Sequence, residues 1–86
     1  MKTHNLKLNI NFCDDVMTGV KTFEIRKNDR NFKVGDHIRF VPIKGCSVST
    51  KHLISEKEYE ITYIINGWGL KKGYVALAIN EVKTVM

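Results

Sequence analysis

His4-Asn5-Leu6-Lys7-Leu8-Asn9-Ile10, followed directly by Asn11-Phe12-Cys13-Asp14-Asp15-Val16-Met17-Thr18-Gly19, decides how this chain is read. His4, Leu6, Leu8 and Ile10 alternate with polar residues, and a period of two marks a half-buried strand. The period then changes. Phe12, Cys13, Val16 and Met17 fall on one helical stripe, which predicts a helix of about two turns near residues 12–18. Asn11 is the expected N-cap, Asp14 and Asp15 fall in the positive first turn, and Gly19 suits the C′ position. A helix this short is not stable alone, so it must dock on a sheet.

Four more strands follow from the same alternation. Thr22–Arg26 sets Phe23 and Ile25 against Thr22, Glu24 and Arg26, and His37–Val41 buries Ile38 and Phe40. Tyr59–Ile65 sets Tyr59, Ile61, Tyr63 and Ile65 on one face, and Tyr74–Val82 does the same with Val75, Leu77 and Ile79. Asn28–Asn31 and Val34–Asp36 are turn sequences, Asn66–Gly69 is a glycine-rich connection, and Pro42–Ser55 is the longest irregular stretch. The expected core is Leu6, Leu8, Ile10, Phe12, Val16, Phe23, Ile25, Val34, Ile38, Phe40, Ile61, Tyr63, Val75, Leu77 and Ile79. Five or six short strands with one early helix predict a mostly β (α+β) domain over residues 1–86. Its architecture is a small, mainly antiparallel barrel, closed so that no strand edge is left bare.

The 86 residues are 43% hydrophobic and 27% charged, ordinary values for one small globular domain. No apolar stretch approaches the ~20 residues that span a bilayer, and no leader-like segment opens the chain, which points to a cytoplasmic protein without a membrane partner. Cys13 and Cys46 stand apart and, with His4, His37 and His52 scattered, form no zinc spacing; Cys13 is expected to pack as a small apolar residue, and no metal or cofactor is expected. The net charge is +5, and residues 21–44 carry seven Lys and Arg against three acids. Such a local positive field suits phosphates, although solubility alone also accounts for it.

The chemistry-bearing stretch is Lys21-Thr22-Phe23-Glu24-Ile25-Arg26-Lys27-Asn28-Asp29-Arg30. Glu24 and Arg26 emerge from one strand face roughly 7 Å apart. Thr22 joins them, and the helix–strand turn delivers Lys21 beside them. Two readings stand: an exposed ladder of charges, or a cleft holding an ammonium, a hydroxyl, a carboxylate and a guanidinium. Lys27, Arg30 and Lys33 either track a nucleic-acid backbone or are solvated turn residues, and Arg30 has a possible ion pair with Asp36. Trp68, near Lys71, Lys72 and Tyr74, either stacks on a base or closes one end of the barrel.

Residues 21–30, with Phe32-Lys33-Val34-Gly35-Asp36, His4-Asn5-Leu6-Lys7 and Gly69-Leu70-Lys71-Lys72-Gly73-Tyr74-Val75, resemble the ASCH superfamily. The closest resemblance is to its small bacterial and phage branch, a domain of unknown function (DUF3850). The superfamily is named for a homology domain of activating signal cointegrator, and the resemblance implies a PUA-like fold. It further implies binding of single-stranded RNA or a nucleotide in a cleft lined by the motif residues Gly19, Lys21, Glu24 and Arg26. One enzymatic branch hydrolyses N4-acetylcytidine with a lysine, a threonine three positions on and a distant glutamate. Lys21 matches that lysine, but Glu24 occupies the threonine's place, Thr22 is out of phase, and Glu81 is a poor positional match. The expectation is therefore a non-enzymatic binding module, possible as a monomer. The alternatives are a small amidohydrolase using Lys21 and Glu24, and a phage or mobile-element protein-interaction domain.

Overall fold

The computed structural model describes residues 1–45 and 48–83, so Cys46 lies outside the described residues. Strand β1 (Thr3–Asn9) runs into helix α1 (Ile10–Met17), followed by β2 (Phe23–Lys27), β3 (His37–Lys44) and the two-residue β4 (Val48–Ser49). A single 3-10 turn (Leu53–Glu56), β5 (Tyr59–Ile65) and β6 (Tyr74–Glu81) complete the order. The sheet path is β1-β3-β5-β6-β2, with β4 joined only to β3. All pairings are antiparallel except β1 with β3, which run parallel from Thr3 opposite His37 to Asn9 opposite Ile43. The fold is mostly β, a curled half-barrel with one short helix after the first strand. Among the described residues no helix is long and apolar enough to cross a membrane.

The barrel is not closed by backbone pairing. The two ends of the sheet path, β1 and β2, are joined by side chains instead: Arg26 Nη2 donates to the Lys7 carbonyl, and Arg30 Nη1 donates to the Asn5 carbonyl at 3.1 Å. Asn5 and Lys7 lie two apart, so their carbonyls point to the same edge. Arg30 therefore bonds to β1, which corrects the expectation that it pairs with Asp36. Asp36 is buried, with its carboxylate 2.9 Å from His4 Nε2 and accepting the Lys2 and Lys33 amides at 3.1 Å each.

The core on the concave side comprises Leu6, Leu8, Cys13, Val16, Phe32, Ile38, Phe40, Ile54, Tyr59, Ile61, Val75, Leu77 and Ile79. β1, β3 and β6 keep the expected phase. Five expected core residues are exposed: Phe12, Phe23, Ile25, Val34 and Tyr63. Each has a local cause. Helix α1 begins earlier than expected, with Asn9 as its cap through Asn9 Oδ1 accepting the Asn11 amide at 2.9 Å. That start places Cys13 and Val16 inward, puts Phe12 at the margin of the stripe, and moves Asp14 and Asp15 out of the first turn. Gly19 does take the left-handed C′ position, with φ +82°.

On β5 a bulge between Ile61 and Tyr63 inserts one extra residue, so Ile61 faces Ile79 but Tyr63 faces Ala78. One extra residue flips every later side chain. Tyr63 turns outward and Ile64 packs against the core instead. In the turn before β3, Phe32 rather than Val34 points inward, its ring edge-on to His4 with centroids 4.7 Å apart. On β2 the phase is the reverse of the expected one: Glu24 is buried, and Phe23 and Ile25 face out.

Tyr59 is buried, yet its hydroxyl has no hydrogen-bond partner among the described residues. Burial pushes its pKa up to about 12, and the charges of Glu81 and Cys13 add to this. An unpaired buried hydroxyl costs on the order of 1 kcal/mol. Tyr59→Phe is therefore expected to leave stability unchanged or raise it by about 1 kcal/mol in urea melts; a loss would show that the hydroxyl has a bonding role.

A candidate nucleic-acid cleft at the open seam

The gap between β1 and β2 forms a cleft of about 280 Å³, walled by Lys7–Asn9 on one side and by Lys21 and β2 on the other, with Phe12 at its rim. Its placement follows from the local sequence. Gly19 ends the helix, the Lys21 amide bonds back to the Asp15 carbonyl at 2.9 Å, and the chain enters β2 with Lys21 alongside Glu24. Opposite Leu77 in the register, Glu24 shares the inward face with the core residues of β6.

A carboxylate 3% exposed needs partners. Glu24 has two: Oε1 accepts from Lys21 Nζ, and Oε2 accepts from Arg26 Nε at 3.0 Å. Lys21 Nζ also donates to the Phe23 carbonyl at 2.7 Å and sits 4.9 Å from the Phe23 ring centroid and 5.6 Å from that of Phe12. Glu24 thus anchors two cations, and its charge further raises the pKa of the Cys13 thiol, which burial and then Asp14 already push up. Cys13 packs as a small apolar residue, fully buried.

Both carboxylate oxygens are committed, which leaves the unspent donors on the cations. Arg26 uses Nε on Glu24 and Nη2 on Lys7, leaving Nη1 without a partner among the described residues. Lys21 uses two of its three protons. Beside the Lys21 ammonium stand the rings of Phe12 and Phe23, each about half exposed. One ammonium beside two aromatic rings, with a guanidinium lining the same cleft, suits a flat ligand bearing carbonyl or phosphate oxygens.

Of the residues singled out in the sequence, Lys21, Glu24 and Arg26 converge here, and Arg30 ties the same seam shut lower down. Thr22 does not join them; with Lys21 and Glu81 it lines an adjacent pocket of about 250 Å³ beside the end of α1. Lys27 and Lys33 are exposed near the seam and the following turn. Tyr74 stands opposite Lys27 and lines a separate hollow of about 440 Å³ with Lys71 and Lys72. Trp68 is 90% exposed, so it does not close an end of the barrel. Phe12 and Phe23 were missed as cleft walls because their hydrophobicity assigned them to the core. Among the described residues no three His, Cys, Asp or Glu side chains are grouped to hold a metal ion.

A family model described as domain of unknown function (DUF3850) matches residues 3–79, from the first strand to the last. No curated protein matches the chain.

Proposed function

This chain belongs to the DUF3850 family, and we propose that it is an ASCH-type, PUA-like module that binds single-stranded RNA or a nucleotide in the cleft between β1 and β2. The observation that carries the reading is the pair of half-exposed rings, Phe12 and Phe23, beside Lys21 in a cleft that Arg26 also lines. A base would stack at the rings while a carbonyl or phosphate oxygen accepts from the cations. Single strands fit better than duplex DNA because α1, at eight residues, is too short to read a major groove. Lys27, Arg30 and Lys33 supply a basic rim for the backbone.

Fluorescence anisotropy with a labelled oligouridine tests this. Three phosphate contacts give a salt slope near −2, so affinity is expected to fall roughly 20-fold between about 50 and about 200 mM salt. Phe12→Ala, on an exposed helix position, is expected to fold normally and bind about 10-fold more weakly, as the loss of one stacked base implies. Salt-insensitive binding, or full affinity in Phe12→Ala, would overturn the reading. A second reading, an amidohydrolase acting on a modified nucleoside, draws support from the pocket that Lys21 and Thr22 share with Glu81. Cytidine released from N4-acetylcytidine, and lost with Lys21→Ala, would favour it over a pure binding module.

A further inference from the structure

The convex face of β2, β6 and β5 is apolar where an antiparallel sheet with one buried face ordinarily presents polar residues. Phe23, Ala78 and Tyr63 form one row across the three strands, and Ile25, Ala76 and Ile65 form the next. Phe23, Ile25 and Tyr63 are each 47–63% exposed. The inverted phase of β2 and the bulge in β5 together create this face; either strand in its simple phase would have turned these side chains inward.

The surface has a shape as well as a composition. Alanines on the central strand make a floor between taller side chains on β2 and β5. The β2 and β5 backbones lie two strand spacings apart, about 10 Å, so a single α-helix of about that diameter covers the three-strand face. One end of the groove is basic: Lys27 follows Ile25 on β2, opposite Tyr74, while Lys71 Nζ lies 6.0 Å from the Tyr74 ring centroid and Lys72 is next to it. None of these three lysines is paired with a carboxylate among the described residues.

We infer that this groove docks an acidic amphipathic helix of another protein, its apolar stripe on Ala76 and Ala78 and its carboxylates toward Lys27, Lys71 and Lys72. A second copy of this chain fits less well. Two copies of net charge +5 repel, and aligned face-to-face packing sets one alanine floor over the other, leaving unfilled the roughly 10 Å between packed sheets. Base stacking on this face is also less suited, since four of its six side chains are aliphatic.

The test is selection of displayed helical peptides of about 15 residues against the intact protein. Enriched sequences are expected to carry apolar residues at i, i+3, i+4 and i+7 with Asp or Glu between them. A synthetic copy of the best should lose roughly 10-fold or more in affinity with Ala76→Glu and with Ala78→Arg. Neither position lines the β1–β2 cleft, but Ala78 faces Phe23 in the register, so oligouridine binding is the separate readout for Tyr63→Leu, on the far strand from the cleft. Tyr63→Leu, which keeps an apolar wall, should retain the peptide. Basic or aperiodic enriched sequences, or undiminished peptide affinity in both alanine variants, would overturn the inference. So would a wild-type dimer in light scattering that Ala76→Glu dissociates, or oligouridine binding that Tyr63→Leu weakens.

Discussion

Glu24→Gln should destabilise the fold by on the order of 3 kcal/mol, against the roughly 0.5 kcal/mol expected for an exposed ladder of charges. The reason is geometric. Glu24 is nearly fully buried, and it is the carboxylate partner of both Lys21 and Arg26. Neutralising it leaves two cations facing each other across an uncharged amide. Their side chains are 20% and 24% exposed, so water recovers part of the loss and holds the cost below that of a fully buried charge. Arg26 also carries the bond to the Lys7 carbonyl, so the variant loosens the seam as well as the pair. Urea melts read the effect directly; a change below about 0.5 kcal/mol would return the cluster to surface decoration.

A loss of similar size is expected at Asp36, for a different reason. Its carboxylate accepts the Lys2 amide, the Lys33 amide and His4 Nε2, tying the N-terminal strand to the turn that enters β3. Asp36→Ala strands three buried or half-buried donors and should cost about 3 kcal/mol. The same bonds set a pH dependence. The His4 hydrogen bond is the largest factor holding the Asp36 pKa down at about 2, with the two amides assisting and burial opposing. A carboxylate depressed in the folded state stabilises above its ordinary value of 3.8, and that stability is lost as pH falls toward about 2. Asp36→Asn should therefore flatten the acid limb of the stability curve in this window. Some slope should survive from Glu58, whose pKa the hydrogen bond from His37 lowers most, with Arg39 contributing. An unchanged acid limb in Asp36→Asn would show that other groups govern acid unfolding.

The contrast between β1 and β2 shows what the sequence could carry. In β1 every inward position is His or aliphatic and every outward one is polar, so alternation alone orients the strand. In β2 the apolar residues Phe23 and Ile25 mark the outside, because the buried place is taken by a carboxylate neutralised from positions three before and two after it. A period of two is visible in both strands, but it does not say which face is which when a buried charge has its partners. The convergence of Lys21, Glu24 and Arg26 was legible, since i and i+2 share a face whichever way it points. The bulge in β5 was not, because Ile61-Thr62-Tyr63 reads as unbroken alternation. Nor was the seam between β1 and β2, which two arginines bridge to carbonyls 19 and 25 residues away. Asp36 looked like a turn residue and is one, but its burial against His4 joins segments 32 residues apart.

The most direct test of the cleft as the nucleic-acid site is photocrosslinking of a 4-thiouridine-substituted oligouridine to the wild-type protein, with the attached peptides identified by mass spectrometry. The account predicts crosslinks on Phe12, Phe23 or the Lys7–Asn9 segment of β1, competed away by unlabelled oligouridine. Crosslinks confined to Trp68 and Tyr74, or none above those of an unrelated basic protein, would contradict it.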